Sequence, residues 1–223
     1  TFRKDNVTED EFNWTDTKDV TPEPTAERHV AKVNIDRTFK AGVWAACVLP
    51  FSMTRQQVNA VFGDCFDNQV GHENGTQILY FDRVEGHKIY FRRHAYNTLV
   101  AGKPFLIKPA KEAVISSANM GDYPYVTIEA PTPQAEWGRT AGNTVGVGSI
   151  DTDYTWVSSY GSMTALPGDY YLNGNGDVSH CTEGHQIPIK GFRGYLKAKT
   201  KQAASKVLTL AYDSNVDGDG EAT

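Results

Sequence analysis

Cysteine is scarce in this chain, and its spacing excludes several common kinds of site. The 223 residues include three cysteines, Cys47, Cys65 and Cys181, and no CxxC pair. Three thiols cannot all pair within one monomer, so a dense disulfide framework is excluded. A single Cys65–Cys181 disulfide and three free thiols are both open alternatives, and the cysteine pattern leaves the redox compartment undecided.

Clustered positive charge and long apolar runs are also missing. The formal net charge is −5, with both signs mixed along the chain and no lysine–arginine run. Because nucleic-acid binding requires clustered cations to neutralise phosphates, we expect no nucleic-acid partner. No stretch approaches the ~20 apolar residues of a membrane helix. We therefore expect anchoring through a longer parent chain rather than through a membrane helix in this segment.

Common catalytic signatures are absent from the sequence as well. It contains no GxSxG, HExxH or GxxxxGK[ST] motif, each of which sets a nucleophile, a metal or a phosphate cradle at fixed spacing. The glycine-rich stretch GVGSID has no helix signal after it, so no phosphate-binding turn is predicted there. We predict that the protein is not an enzyme and has no catalytic residues.

Turn residues, in contrast, are abundant. The chain has 20 glycines and 10 prolines between short apolar segments, and 11% of its residues are aromatic. Turns recur about every 8–12 residues, a spacing typical of a β-sandwich or barrel. We predict an all-β fold, an antiparallel β-sandwich of Greek-key or jelly-roll type. The apolar run WAACVLPF predicts one long buried strand with Trp44, Leu49 and Phe51 in the core.

Local signals add a helix and two hairpins to this prediction. Thr54 and Gln57 have the spacing of a capping box, and Gly63 suits a helix end, which predicts one short helix near residues 54–62. QILYFDRVEG and HKIYFRRH predict an antiparallel pair with its turn at Glu85–Gly86. GDYYLNGNGDVSH predicts a second hairpin around its Asn-Gly-Asn-Gly turn.

The composition divides the chain into three parts. Residues 1–28 are polar and acidic and are broken by TPEP, which predicts a linker or an N-terminal arm. Residues 29–212 carry the strand pattern and are predicted to form the β-sandwich domain. Residues 213–223 form an acidic C-terminal tail.

Aromatic residues supply the candidate ligand-binding positions. Trp137, Tyr154, Trp156 and Tyr160 belong to an aromatic concentration in the second half of the chain. On a strand, alternate residues share one face, so Tyr154 and Trp156 point the same way. Two interpretations stay open: packing in the core, or stacking of exposed rings on a sugar.

A metal site is an alternative at two places, although no cofactor is predicted. Asp213, Asn215, Asp217 and Asp219 match the first half of a calcium loop of the D-x-N-x-D-G type. The preceding KVLTLAY is typical of a strand, whereas such a loop follows a helix, so an acidic tail is the competing interpretation. The ligand-type residues between His180 and His185 are more typical of a polar loop than of a zinc site.

Several segments, in this order, resemble one known family. They are DRTFKAGVWAACVLPFSMTRQQVNAVFG, ILYFDRVEG, LVAGKPFLIKP, GDYYLNGNG and IPIKGFRGYLKA, with DGDGEAT at the end. They are similar to the β-rich domain of Bacteroides-type cell-surface proteins and adhesins, with the signatures WxxxxLPF, AGxPYLIKP and FRAYL. The chain departs from the pattern at Gly194, where the family usually has alanine, and at AAC, where it often has Asn-Thr.

The resemblance implies an extracellular or cell-surface location in a bacterial envelope. It implies no known activity. Together with the absence of catalytic signatures and the mixed, moderately acidic charge, it predicts a non-catalytic adhesion or structural interaction module whose partner is an unknown protein or glycan. The alternative is a carbohydrate-binding module that uses exposed aromatic residues.

Overall fold

The computed structural model describes residues 10–15, 29–65, 75–93, 98–128 and 153–213. Strands account for 48% of the structure and helices for 10%, so the fold is all-β, as the sequence predicts. The described strands are β1 Asp10–Thr15, β2 His29–Phe39, β3 Ala45–Cys47, β4 Gln77–Glu85, β5 Lys88–Arg93, β6 Phe105–Lys108, β7 Ala113–Ser116, β8 Val126–Ile128, β9 Tyr154–Ser159, β10 Met163–Ala165, β11 Tyr170–Leu172, β12 Val178–His180, β13 Ile187–Ile189, β14 Arg193–Ala198 and β15 Thr209–Asp213. The described helices are α1 Arg55–Phe62 and α2 Lys201–Ala204, with a 3₁₀ turn at Ser117–Asn119.

The long strand β2 is the centre of the first sheet. β1 pairs with it in parallel, while β7 and β8 pair with it antiparallel. The β2–β7 register shifts between Asn34 and Thr38, which marks a bulge or irregularity in β2. Side chains at alternate positions, Ala31, Val33, Ile35, Arg37 and Phe39, are buried.

Two further sheets complete the strand framework, and both are larger than the short β10–β13 pair. A five-stranded sheet has the order β15-β5-β4-β6-β3, and a four-stranded sheet has the order β12-β11-β14-β9. β10 and β13 form a separate antiparallel pair. β14 also lies against β3, so the two larger sheets meet there.

The buried apolar side chains form two main clusters. The first surrounds α1 and β2 and contains Phe39, Leu49, Phe51, Phe62 and Phe105. The second lies between the two larger sheets and contains Phe81, Phe91, Tyr154, Trp156 and Tyr170. Burial of this apolar surface from both sheet faces is the main term that favours the folded state.

Helix α1 begins and ends where the sequence predicts. The Thr54 hydroxyl accepts from the Gln57 backbone N–H at 3.3 Å, and the Gln57 side chain accepts from the Thr54 N–H at 2.9 Å. Gly63 has φ = 92° and donates its N–H to Asn59 at 2.9 Å. A positive φ carries little penalty for glycine, so the helix stops there.

The predicted long strand around WAACVLPF is wrong. Ladder pairing with β6 stops after Cys47, three residues before Pro50. Phe51 instead makes one isolated bridge to Ile128. Leu49 and Phe51 are fully buried as predicted, whereas Trp44 is half-buried against the second cluster.

Strand direction also differs in part from the antiparallel prediction. The β1–β2 and β5–β15 pairs are parallel. β1 lies within residues 1–28, where the sequence predicts a linker or arm, and β7 is a strand that the sequence pattern does not indicate. The β4–β5 turn is at Gly86–His87, one residue later than predicted.

Candidate functional site

A groove of about 260 Å³ opens where the end of β2, the start of β3 and the β11–β12 hairpin come together. The charged, aromatic and amide side chains in its wall include those of Arg37, Lys40, Trp44, Tyr171, Asn173 and Arg193. It combines a cationic side with aromatic side chains on a framework of paired strands.

Arg37 is the most deeply buried of these groups. Alternation along β2 points its side chain inward with the apolar residues, and 7% of Arg37 is exposed. Its guanidinium donates to the Ala46 carbonyl at 2.9 Å and to the Phe192 carbonyl, and it lies 4.3 Å from the ring centroid of Phe39. These contacts link β2 to β3 and to the turn before β14, and they fix the guanidinium in position.

Phe192 has an unusual backbone conformation beside this guanidinium. It is the one non-glycine residue with positive φ, 55°, within the described part of the chain. Bulky side chains rarely adopt this region, and such strain costs of order 1–3 kcal/mol. The Phe192 ring is fully buried, and its carbonyl accepts from Arg37. Core packing and the Arg37 hydrogen bond therefore hold the strained turn that leads into Arg193.

The β11–β12 hairpin closes the groove from the opposite side. The Asn173 side-chain oxygen accepts from the backbone N–H of Asn175 at 2.9 Å and of Asp177 at 3.2 Å, which shapes the turn. Gly176, with φ = 83°, packs so closely that a Cβ there would lie 2.8 Å from the Trp44 backbone nitrogen. Only glycine permits this approach of the hairpin to Trp44.

Three basic residues line the groove, although the chain as a whole carries a formal net charge of −5. Arg37, Lys40 and Arg193 line it, and no described lining residue is acidic. Lys108 adds an ammonium group 5.6 Å from the ring centroid of Trp44. Burial raises the pKa of the nearby Cys47 thiol, while the charges of Arg37 and Arg193 act in the opposite direction. Both guanidinium groups therefore lie close enough to Cys47 to favour its thiolate form.

Three of the four predicted ligand-binding aromatics are core residues. Tyr154, Trp156 and Tyr160 are 1%, 5% and 7% exposed. Their rings are therefore shielded from solvent and pack against apolar neighbours, Tyr160 in the first cluster and Tyr154 and Trp156 in the second. Trp137 lies outside the described residues.

Hydrogen bonds and ring contacts explain these core positions. The Tyr154 hydroxyl donates to the Ala203 carbonyl at 2.9 Å, and the Tyr160 hydroxyl donates to the Leu49 carbonyl at 3.4 Å. Trp156 packs with its ring centroid 6.0 Å from that of Phe81 and 5.6 Å from that of Phe91.

Most of the possible calcium ligands fall outside the part of the chain that the structure describes. Asn215, Asp217 and Asp219 lie outside the described residues, and the backbone of Asp213 ends β15. Among the residues that the structure does describe, no three His, Cys, Asp or Glu side chains are grouped to hold a metal ion.

The three cysteines are free thiols in the structure, so the Cys65–Cys181 disulfide is not formed. All three are buried. The thiol of Cys181 contacts the backbone carbonyl of His185 at 3.3 Å rather than its ring, so the two do not form a nucleophile–base pair.

A buried ionic cluster lies elsewhere, on β4 and β5. Asp82 is 8% exposed and forms ion pairs with Arg83 and, at 2.8 Å between Oδ1 and Nε, with Arg92. The Arg92 Nε–H makes no hydrogen bond, so its contact with Asp82 is a charge contact. Arg83 also reaches Glu85 and the Tyr90 ring. This cluster joins neighbouring strands and does not border the groove.

No helix in the described part of the chain is both long and apolar enough to span a bilayer. Comparisons of the chain with protein-family models, with curated proteins and with solved structures found no match.

The sequence prediction missed the groove residues, although one signal for them was present. Arg37 occupies an inward position of an alternating strand, between Ile35 and Phe39. A charged residue on an otherwise apolar face indicates a specific buried partner or a site. Lys40 and Arg193 have no comparable local signal, because they lie far apart in sequence and meet only through the fold.

Proposed function

We propose that the chain is a non-catalytic binding or structural interaction module of an extracellular or cell-surface protein. The resemblance to surface proteins and adhesins of Bacteroides-type bacteria supports the location. The groove supports the binding role, because function in strand-rich domains commonly resides in sites built on a rigid framework.

The observation that supports the proposal most is the fixed position of the Arg37 guanidinium at the groove wall. Arg37 is buried and fixed by two carbonyl oxygens, one from Ala46 in β3 and one from Phe192 in the turn before β14. Hydrogen bonds to two carbonyl oxygens hold the guanidinium in one position at the groove wall. Preorganised charge of this kind lowers the ordering cost of binding.

The carbohydrate-binding alternative, as predicted from exposed aromatic residues, now depends on Trp137. Tyr154, Trp156 and Tyr160 fill the core and present no open ring faces. We therefore place the recognition surface at the groove rather than on the predicted aromatic face.

The proposal is tested by presenting the purified chain to a glycan array and to an array of extracellular proteins, alongside a hydrolase substrate panel. We expect saturable binding to a defined partner and no turnover above a mock preparation. Reproducible turnover of a substrate would contradict the non-catalytic role. Protease treatment of intact source cells tests the location, since a surface domain is cleaved without lysis.

A further inference from the structure

The outer face of the first sheet carries polar side chains near the start of β2. Lys32 and Asn34 alternate with the core positions of β2, so they point outward. β1 adds Glu11 and Asn13 to the same face, because its register pairs Glu11 with Lys32 and Asn13 with Asn34. Four neighbouring polar side chains from two strands therefore share this surface.

Two tyrosines extend this face beyond the other edge of β2. The pairing of Ala31 with Val126 sets Lys32 opposite Tyr125, and the Lys32 Nζ lies 5.8 Å from the centroid of the Tyr125 ring. Val126 is buried, whereas Tyr125 is half-buried and Tyr123 is 56% exposed. Aromatic area therefore stands beside the polar side chains of β2.

One buried amide holds the backbone that carries both tyrosines. Gln57, which is 4% exposed, donates from Nε2 to the Tyr123 carbonyl at 2.9 Å and to the Tyr125 carbonyl at 3.2 Å. Tyr123 precedes Pro124, which favours an extended backbone. In an extended segment, carbonyls two residues apart point the same way, and so do the side chains. Tyr123 and Tyr125 are therefore directed to one surface, on a backbone that is ordered before any ligand binds.

The polar side chains on this surface have hydrogen-bonding capacity to spare. Asn13 and Asn34 are exposed, and neither side chain has a hydrogen-bond partner among the residues that the structure describes. An asparagine amide both donates and accepts, which matches a pair of adjacent hydroxyl groups. Glu11 and Lys32 contribute one charge of each sign, so these four side chains together carry no net charge.

We propose that this face binds a neutral saccharide, with one sugar ring against Tyr123 and its hydroxyl groups at Asn13, Asn34 and Lys32. A sugar ring has an apolar C–H face that packs on an aromatic ring and hydroxyls that amides bind. An acidic ligand would be repelled by Glu11, and a purely apolar one would leave the amides unpaired.

This surface is separate from the groove. It lies where β2 begins and pairs with β8, whereas the groove lies where β2 ends. Neither Tyr123 nor Tyr125 belongs to the aromatic set that the sequence predicts. The inference therefore adds a second recognition surface and does not depend on the role proposed for the groove.

The test is NMR titration of the whole chain with single trisaccharides as probes. The neutral probes are maltotriose, cellotriose, xylotriose and mannotriose, and a galacturonic acid trimer is the acidic comparison. We expect at least one neutral trisaccharide to bind, and to bind more tightly than the acidic trimer. Because the ligand is uncharged, added salt at about 0.5 M is expected to leave its affinity unchanged.

Variants at the face separate it from the rest of the surface. Tyr123→Ala is expected to weaken the neutral sugar by roughly tenfold through the lost ring contact, whereas Tyr123→Phe keeps the ring and is expected to bind like the parent chain. Asn34→Ala is expected to weaken binding by about twofold to tenfold, the range of one net hydrogen bond. Leu166→Ala, at an exposed apolar residue after β10, is the control and is expected to leave binding unchanged. Thermal melting of each variant verifies that it is folded.

Several results overturn the inference. They are the absence of binding by every neutral trisaccharide, equal or tighter binding of the acidic trimer, and equal affinity of folded Tyr123→Ala and the parent chain. If the neutral sugars fail to bind but a partner from the arrays binds both the parent chain and Tyr123→Ala, the proposed interaction role stands and this inference alone fails.

Discussion

Gly194 and Trp156 occupy neighbouring strands so closely that a Cβ on Gly194 would lie 2.7 Å from the indole nitrogen of Trp156. The same Cβ would lie 3.0 Å from the Val157 carbonyl oxygen. The indole N–H is buried and has no hydrogen-bond partner. Glycine at this position, where the resembled family usually has alanine, therefore makes room for the Trp156 ring.

Gly194→Ala is expected to destabilise the domain by about 1–3 kcal/mol, because the added methyl overpacks a filled core. Chemical denaturation measures this free energy of unfolding. Gly174→Ala is the control, since a Cβ there meets nothing within 4 Å. Equal stability of Gly194→Ala and the parent chain would contradict the close packing.

Gln57→Leu is expected to cost about 1–3 kcal/mol of stability. The buried Gln57 amide donates to the Tyr123 carbonyl at 2.9 Å and to the Tyr125 carbonyl at 3.2 Å, and the substitution leaves both without this donor. Gln56→Leu on the exposed face of the same helix is the matched control. Similar denaturation midpoints for the two variants would show that the amide contributes nothing.

Phe105→Ala is expected to destabilise the domain by about 3–5 kcal/mol, through lost burial and the cavity that remains. Phe105 is 1% exposed and lies in the first core cluster. Val207→Ala removes apolar atoms from a residue that is 75% exposed and is expected to change stability by less than about 0.5 kcal/mol. Denaturant titration of both variants compares the two costs.

The three thiols are expected to react slowly with a thiol reagent at pH 8 in the native chain and quickly in denaturant. Burial raises the pKa of Cys65 to about 12 and also raises the pKa of Cys47 and of Cys181. The thiolate is the reactive form, so protonation and burial both protect these groups. Rapid modification of one thiol under native conditions would place that thiol at an accessible surface.

The raised pKa of Cys65 also predicts a loss of stability in alkali. Above its ordinary value of 9.0 the unfolded chain releases this proton, while the folded chain holds it up to about 12. The folded state then binds more protons, so the free energy of unfolding falls as pH rises through this interval. In Cys65→Ala the fall is expected to be shallower, which denaturation at several pH values measures.

Calcium is expected to leave the melting temperature unchanged at millimolar concentration. The carboxylates of Asp213, Asp217, Asp219 and Glu221 are close in sequence, and like charges favour an extended, solvated segment. Thermal melting with and without calcium measures the effect. A rise of several degrees that Asp217→Ala abolishes would establish a calcium site in the tail.

Local signals determined the parts of the fold that depend on neighbours in sequence. Thr54, Gln57 and Gly63 fix helix α1 because capping is decided within one turn of chain. The β4–β5 and β11–β12 hairpins follow from short turns between alternating segments. The all-β class follows in turn from the frequency of such segments.

Partners distant in sequence were decided by the tertiary structure. β15 pairs with β5 in parallel, although the two strands are more than a hundred residues apart in sequence. Parallel strands are not joined by a short turn, so no local sequence signal predicts this pair. The burial of Trp156 depends on Phe81 and Phe91 from another sheet, so alternation alone left core and surface both open.

In the groove, too, some features follow from the local sequence and others only from the tertiary structure. The sequence by itself determined that Arg37 stands on the apolar face of β2, since side chains alternate along a strand. Only the tertiary structure brought the carbonyls of Ala46 and Phe192 to that guanidinium and set Lys40 and Arg193 beside it. Such a site forms where sheets pack against each other. This packing depends on both surfaces in contact, so the sequence of one segment alone does not predict it.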